Sequence, residues 1–172
     1  MQTPKFTFNI FKVTQGFAST YKGVPVLNGV QFGNDYVTAT NRYVAVRVPV
    51  ASLPFVVDEP VVVPLDVVKD AARVKANLVE VKATSLVFDS GQVIPFEPVE
   101  GSYPDLSRIY DSFEPSKSPG PFGFNSEYLA LFAKWFTAKE RRETPLHIEF
   151  GSKGVMRVIV QSAEALIMPV RI

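Results

Sequence analysis

The sequence has no cysteine and only one histidine, His147. Without cysteine, the chain cannot form a disulfide scaffold, a thiolate zinc site, an iron–sulfur cluster or a cysteine nucleophile. A single histidine also excludes a metal site built from several histidines. Excess charge is missing too, since 18 basic residues face 17 acidic ones and leave a net charge of +1. The bulk charge therefore gives no general attraction to nucleic acid, and any basic surface has to be local.

Long hydrophobic runs are absent as well. No stretch approaches the roughly 18 apolar residues of a membrane span, and residues 1–13 (MQTPKFTFNIFKV) carry no secretion signal. We therefore expect a soluble, cytoplasmic protein with no membrane partner. Apolar residues make up 47% of the 172 residues, enough for one packed domain or two very small ones. The 14 phenylalanines and 14 prolines, with many valines, favour short strands joined by turns.

A strand, a helix and three further strands recur three times along the sequence. The predicted helices start at Asn9, Pro64 and Asn125, at intervals of roughly 60 residues. Asparagine suits an N-cap and proline suits a first helical turn. The third helix is predicted to run between Glu127 and Glu140. The residues four positions beyond each start are apolar: Val13, Val68 and Leu129.

This repeat predicts an α+β fold, although any α+β domain yields some strand–helix–strand echoes by chance. Only residues 112–120 (SFEPSKSPG) have the composition of a linker. We therefore divide the chain into a complete two-unit domain at 1–111, a linker at 112–120 and a third, half-domain unit at 121–172. Short strands are predicted before the first and third helices, at residues 6–8 and 122–124.

Catalytic equipment is scarce in this chain. His147 lies in an alternating strand, where a histidine is usually a surface or hydrogen-bonded residue. The neighbouring carboxylates Asp58 and Glu59 lie in a proline-flanked turn, where charges are usually just solvated. The glycines of residues 29–33 lack the downstream Lys-Ser/Thr of a phosphate loop. We therefore predict a protein that is not an enzyme and needs no metal or cofactor.

The basic residues are more informative, because several fall on or just after the predicted helices. Arg73 and Lys134 lie at the same offset, nine residues beyond their helix starts. Helices placed side by side would combine such cations into a surface that neutralises phosphates without reading sequence, although lysines are also ordinary on exposed helix faces. Trp135 and the phenylalanines beside it are predicted to be core residues. The candidate DNA-binding residues are Lys12, Lys69, Arg73, Lys134, Lys139, Arg141 and Arg142.

Four segments resemble, in the same order, motifs of the bacterial DNA polymerase III β subunit, the sliding clamp family. Residues 37–46 (VTATNRYVAV) resemble the "ATDGHRLA" strand, and residues 100–109 (EGSYPDLSRI) resemble the "GxFPDYRRV" interdomain segment. Residues 124–129 (FNSEYL) resemble the "FNxxYL" start of the family's last helix, and residues 166–172 (LIMPVRI) resemble its "VVMPMRL" ending. The matches span most of the chain and reach the same C-terminus.

The resemblance implies the DNA-clamp fold, a closed ring with helices on the inner wall and antiparallel sheets on the outer wall. Such a ring encircles double-stranded DNA without sequence preference and acts as a processivity factor for a DNA polymerase. Its partners are the polymerase, other proteins with clamp-binding peptides, and a clamp loader. The family's peptide pocket, carried over by position, comprises Thr40, Arg42, Tyr43, Val44, Pro104, Arg108, Ile109, Leu166, Met168, Pro169, Val170 and Arg171.

The chain departs from the family pattern in two ways. The Gly-His of the "ATDGHRLA" motif is missing, and residues 41–43 (NRY) are one residue shorter. Bacterial clamps also have three domains of two units each, whereas this chain has three units in all. A homo-oligomeric ring of four copies would restore the family's number of units, with unit three completing its domain with a neighbour's unit. Such a compact clamp suits a phage or other mobile element acting in the host cytoplasm.

Two other functions fit the same residues. A clamp-fold adaptor or decoy would bind clamp-interacting peptides without encircling DNA. A β-rich viral structural protein would show neither salt-sensitive DNA association nor an effect on polymerase processivity.

Overall fold

The structure, a computed structural model, describes residues 7–117 and 120–170, and three repeated units organise them. In each unit a helical segment, which in the third unit consists of two helices, is followed by three strands. The first unit contains α1 (Ile10–Gln15), β1 (Gly29–Phe32), β2 (Tyr36–Thr40) and β3 (Val44–Pro49). After β4 (Phe55–Val57), the second contains β5 (Val61–Pro64), α2 (Leu65–Ala71), β6 (Val79–Lys82), β7 (Ser85–Phe88) and β8 (Val93–Pro95). After α3 (Ser107–Asp111), the third contains α4 (Ser126–Ala133), α5 (Glu140–Glu143), β9 (His147–Phe150), β10 (Met156–Val160) and β11 (Ala163–Ile167).

The predicted helix starts are confirmed by their caps. The Asn9 side-chain oxygen accepts hydrogen bonds from the backbone N–H groups of Phe11 and Lys12, at 3.0 and 3.2 Å. Asn125 caps α4 in the same way, accepting from the N–H of Glu127 at 2.9 Å. Pro64, which has no N–H to satisfy, directly precedes α2. Short polar side chains and proline therefore determine where each helix begins.

Three details of the predicted elements are wrong. The third helix does not reach Glu140, because α4 ends at Ala133 and α5 is a separate turn. Before α1, the described residues Thr7 and Phe8 form no strand, and residue 6 lies outside the described residues. Before α4, the predicted strand is reduced to a single bridge between Gly123 and Val170. Of the three predicted leading strands, only β5 forms a regular ladder in the described chain.

The strands form a seven-stranded sheet, in the order β5-β1-β2-β3-β11-β10-β9, and a four-stranded sheet, in the order β4-β6-β7-β8. All pairings are antiparallel except that of β4 with β6. The large sheet joins the first unit to the second through β1 and β5, and to the third through β3 and β11. The division at residues 112–120 stays a prediction, and the sheet continues across it.

One core connects the three units, and aromatic rings fill it between α1 and α4. Phe17, which is fully buried, lies 6.1 Å from the ring of Phe132 and 5.9 Å from that of Trp135. Gly16 lets the two helices approach closely, since a Cβ atom there would lie 2.7 Å from the side chain of Leu131. The prediction that Trp135 is a core residue is confirmed, because only 6% of it is exposed.

The α+β layers predicted from the sequence, with helices on one side and antiparallel strands on the other, are confirmed. Val44, Val46, Ala165 and Ile167 point to the helices, and all belong to the main core. The alternate residues Ala45 and Leu166 face the other way, where they pack with Leu106 and Tyr110. The seven-stranded sheet therefore has helices on one face and, at the β3–β11 junction, a second small cluster on the other.

Candidate functional site: an apolar groove and a basic helix face

An apolar groove of about 450 Å³ lies on the sheet face that points away from the helices. Ala45 and Leu166, which pair directly across β3 and β11, are among its lining residues. The turn between β2 and β3 forms one wall, and residues 102–109 form another. The backbone N–H of Met168 donates to the Tyr43 carbonyl at 2.9 Å and holds the end of β11 against that turn. Chain segments that are far apart in sequence thus meet at one place.

Most of the twelve candidate peptide-binding residues meet in this groove. Those that line it are Thr40, Arg42, Tyr43, Val44, Pro104, Ile109, Leu166 and Met168. Arg171 lies outside the described residues. The described residues that are not part of the lining are Arg108, Pro169 and Val170.

Sequence reasoning missed part of the lining, chiefly Val24, Val26 and Leu27. Their valine-rich composition is typical of a strand, but residues 25–27 form a 3₁₀ turn, which begins with a proline. The apolar run at residues 24–27 was the available signal. It did not reveal the groove, because the groove depends on packing against residues 102–109. The missed residues elsewhere in the lining are Ala45, Ser102 and Leu106.

The turn between β2 and β3 is held by side-chain hydrogen bonds. Asn41 accepts from the N–H groups of Tyr43 and Val44, at 2.9 and 3.0 Å. The Thr40 hydroxyl accepts from the N–H of Arg42 at 3.1 Å and donates to the Val44 carbonyl at 2.7 Å. These bonds keep Arg42 at φ 81°, a left-handed conformation that favours glycine. The turn thereby fixes an arginine and an exposed tyrosine at the groove rim.

Two tyrosines, the half-buried Tyr103 and the buried Tyr110, attach residues 102–110 to the sheet. The Tyr103 hydroxyl accepts a hydrogen bond from the N–H of Thr40 at 3.1 Å. The Tyr110 hydroxyl donates to the carbonyl of Glu164 at 3.2 Å. Burial raises the pKa of both phenols above the ordinary value. They therefore remain neutral hydrogen-bonding groups that position this wall of the groove.

An ion pair closes the β3–β11 junction beneath the same wall. Nε and Nη2 of Arg47 donate to the Glu164 carboxylate at 3.0 and 2.8 Å. The guanidinium also lies over the rings of Tyr36 and Tyr110, 4.8 and 4.1 Å from their centres. Two aromatic faces and two charge-assisted hydrogen bonds to one oxygen of Glu164 hold Arg47 in one orientation. The third unit is thus fastened to the first by contacts outside the main core.

The groove offers apolar surface to a partner. Its floor contains the buried side chains of Leu106 and Leu166, while Met168, Ile109 and Tyr43 at the mouth are 43%, 47% and 62% exposed. Exposed apolar side chains grouped around a concave surface are typical of a docking site for a short peptide. Among the described residues of the lining, Arg42 is the one that carries a charge, and it favours a partner with a nearby carboxylate.

Three lysines, two on helices and one at the end of a third helix, surround a depression of about 230 Å³ on the helix layer. Lys12 belongs to α1, Lys69 to α2, and Lys134 directly follows α4. They meet because α1 packs between the other two helices. Trp135 also lines the depression, but its ring is buried and is not available to stack on a base. The structure therefore concentrates positive charge where the sequence shows only scattered cations.

Arg73 does not join this depression, although it has the same offset as Lys134. The Asn9 side chain donates to the Ala72 carbonyl at 3.3 Å, so the end of α2 lies beside the start of α1. The end of α4 instead lies beside the end of α1, where Leu131 meets Gly16. Equal offsets therefore place the two cations at opposite ends of α1. Arg73 pairs with Asp70 at 3.0 Å, and the other candidates that lie outside the depression are Lys139, Arg141 and Arg142.

Within residues 7–117 and 120–170, no three metal-ligating side chains come together. Over the same residues, the structure contains no helix with the length and apolar character needed to cross a membrane. The one histidine, His147, is 70% exposed in its side chain and lies 3.5 Å from Glu149.

Comparison with known proteins connects this geometry to one group of solved structures. The β subunit of DNA polymerase III from Borrelia burgdorferi, solved with a natural product, matches with a TM-score of 0.69 and 15% identity over 95% of this chain and 60% of that one. The sliding clamp from Bacillus subtilis matches with a TM-score of 0.65 and 14% identity, over 95% and 61%. The sliding clamp from Bartonella birtlesii, bound to griselimycin, matches with a TM-score of 0.66 and 16% identity, over 94% and 63%.

No protein-family model matches the sequence, and no curated protein matches it. The chain spans about three fifths of the length of the clamps to which it is similar. The agreement extends over 94–95% of this chain. This chain therefore has the fold of the bacterial DNA polymerase III β sliding clamps, in a shortened form.

Proposed function

We propose that this chain is a DNA sliding clamp, a processivity factor that encircles double-stranded DNA and tethers a DNA polymerase. The observation that carries this proposal is the placement of two surfaces on opposite sides of one sheet. The lysine depression lies on the helix layer, and the apolar groove lies on the outer face. A protein that surrounds DNA and recruits a second protein needs this division between an inner and an outer surface.

The lysine depression supports contact with DNA phosphates. Lys12, Lys69 and Lys134 are all exposed, and none of them forms a salt bridge with another described residue. Lysine on a flexible stem neutralises phosphate without reading bases, which is the contact that a sliding protein requires. A net charge of +1 is compatible with this role, because encirclement supplies retention that weak electrostatic contacts need not supply.

The groove supports a partner that inserts a short apolar peptide. The Bartonella clamp was solved bound to griselimycin and the Borrelia clamp bound to a natural product, so proteins of this fold accept compact ligands. In this chain, Tyr43, Ile109 and Met168 would cover the apolar side chains, while Arg42 would pair with a carboxylate of the partner. The partners would be a DNA polymerase and other proteins with such peptides.

This function requires no chemistry, so we propose a tether that is not an enzyme. Four copies with three units each would form a ring of the size found in the clamp family. A loader that opens the ring would be a further partner. We further propose that the chain acts in the cytoplasm of a host, as part of a phage replication system.

The test compares retention on circular and linear DNA. The protein is incubated with nicked plasmid and passed through a sizing column in high salt, before and after the plasmid is cut once. An encircling protein stays with circular DNA and leaves the cut form through its ends. Equal retention on both forms would contradict encirclement.

A clamp-fold adaptor that binds clamp-interacting peptides is the second candidate. The observation in its favour is that one chain forms the whole described groove, from the β2–β3 turn, residues 102–109 and the end of β11. Peptide binding therefore needs no ring. An adaptor would bind griselimycin or a polymerase peptide and show no difference between circular and linear plasmid.

A further inference from the structure

We propose that the third unit pairs with the third unit of a second copy of this chain, forming a two-fold symmetric domain shared by two subunits. The first two units already form such a pair within one chain. The proposal supplies a joint for the ring, and its test uses no DNA, so failure of the joint and failure of encirclement can be distinguished.

The pairing of the first two units shows which surface a unit buries against its mate. Val13 of α1 and Val68 of α2 occupy equivalent positions, four residues beyond their helix starts, and they are 1% and 0% exposed. Asn9 at the start of α1 donates to the carbonyl of Ala72 at the end of α2, so the two helices run antiparallel. β1 of the first unit also pairs with β5, the leading strand of the second.

The third unit exposes the equivalent helix surface. Leu129 lies four residues beyond the cap of α4, yet 42% of it is exposed. Ser126 and Ala133, one and eight residues beyond the cap, are exposed as well. These three positions lie on one side of a helix. In the first two units, the residues at the same three distances from the helix starts are all buried: Ile10, Val13, Phe17, Leu65, Val68 and Ala72.

The sheet leads to the same conclusion. β1 lies between β2 and β5, whereas β9 ends the seven-stranded sheet in the described part of the chain. Ile148 of β9 is opposite Val158 of β10 and therefore points to the same face, which is the core face. Val158 is 1% exposed but Ile148 is 46% exposed, while Val30 in β1 is fully buried. Residues 114–116 bridge the C-terminal end of this edge, where the N–H of Ser116 donates to the Phe150 carbonyl at 2.7 Å. Among the described residues, no strand pairs with the rest of the edge around Ile148, so an apolar surface is left there for a mate like that of the first unit.

A second copy of this chain fits this surface better than an unrelated partner. In each chain the first and second units are already paired with each other, so the third unit is the one left to pair. Two identical chains that join through their third units present the same surface to each other, so the joint is two-fold symmetric. Antiparallel α4 helices would place Asn125 beside the carbonyl of the partner subunit's Ala133, repeating the bond between Asn9 and Ala72.

Light scattering and native mass spectrometry of the whole chain test this joint. One chain has a mass of 19.0 kDa, and we expect the protein at micromolar concentration to have twice that mass or a larger even multiple. Leu129→Arg should halve the mass of the smallest assembly, because it places a charge on the two-fold face. Tyr21→Arg, at a position of the first unit that is 70% exposed, is the matched control and should leave the mass unchanged. A monomeric wild-type protein, or an assembly that survives Leu129→Arg, would overturn the proposal.

Cross-linking supplies a second measurement that does not depend on destabilising the assembly. Because the chain has no cysteine, a single introduced thiol reacts without background. Leu129→Cys treated with a short bismaleimide should give a covalent dimer at protein concentrations where Tyr21→Cys gives none. Both positions are exposed, and circular dichroism checks that each variant is folded. Equal cross-linking of the two variants, or none in either, would place the joint elsewhere and overturn the proposal.

Discussion

Replacing Lys12, Lys69 and Lys134 together by glutamine should remove most of the salt dependence of DNA binding. All three side chains are exposed and surround one depression, so their charges can reach the same stretch of phosphate backbone. Glutamine keeps a similar length and removes the charge. The fold should be unaffected, because none of the three lysines belongs to the buried core.

The size of the effect follows from counterion release. Each neutralised phosphate contributes about 0.9 to the slope of log affinity against log salt, so three lysines contribute about 2.7 per bound subunit. Raising the salt from about 50 to about 200 mM should therefore weaken wild-type binding about 40-fold through these residues alone. The triple variant should lose this part of the dependence and bind more weakly at the lower salt.

Fluorescence anisotropy with a short labelled duplex measures the slope. The matched control replaces three other exposed lysines, Lys22, Lys75 and Lys153, by glutamine. The control keeps the same total charge change but leaves the helix layer intact, so its slope should stay close to that of the wild type. If both triple variants lose the same slope, DNA contact depends on overall charge, and the depression is not the DNA-binding surface.

Three further predictions concern the core, the groove and an ion pair. Phe17→Ala should lower the free energy of unfolding by about 3–5 kcal/mol, measured in urea, whereas Tyr21→Ala should change it by less than about 0.5 kcal/mol. Met168→Ala should weaken binding of the peptide proposed for the groove by about fivefold, or roughly 1 kcal/mol, in calorimetry, because it removes apolar contact at the groove mouth; unchanged affinity would place the peptide elsewhere. Arg157 donates to Glu149 and lowers the pKa of that carboxyl. A carboxyl group whose pKa is lower in the folded than in the unfolded protein stabilises the fold at pH values above the unfolded-state pKa. This stabilisation is lost as the pH falls through the folded-state pKa. Arg157→Gln should therefore destabilise the protein most at neutral pH, and progressively less as the pH falls below the ordinary pKa of a carboxyl group; a loss that does not change with pH would contradict this assignment.

The sequence predicted the helix starts and the buried aromatic residues well, because these depend on local chemistry. Asn9 and Asn125 are N-caps in the structure, and Trp135 is buried as expected. The leading strands were predicted less well. Residues 6–8 and 122–124 have a strand-like composition, but a strand forms a ladder only where a neighbour is available to pair with it. β5 has such a neighbour in β1.

The groove could be predicted only through motifs resembling those of a known family. Composition and spacing alone indicate no reason why Thr40, residues 102–109 and Met168 should meet. The left-handed Arg42 also could not be anticipated, since it depends on the hydrogen bonds that Asn41 and Thr40 make around it. Val26 was missed because its role depends on packing against a remote segment.

The amino-acid sequence by itself determined the repeated units, since caps, turns and the alternation of apolar residues act over a few neighbouring positions. Only the tertiary structure decided which surfaces of these units meet and which stay open. Pairing of β3 with β11 creates the groove, packing of α1 between α2 and α4 gathers the three lysines, and Leu129 is left uncovered. The physical reason is that contacts between residues far apart in the chain depend on strand pairing and helix packing, which no local pattern encodes.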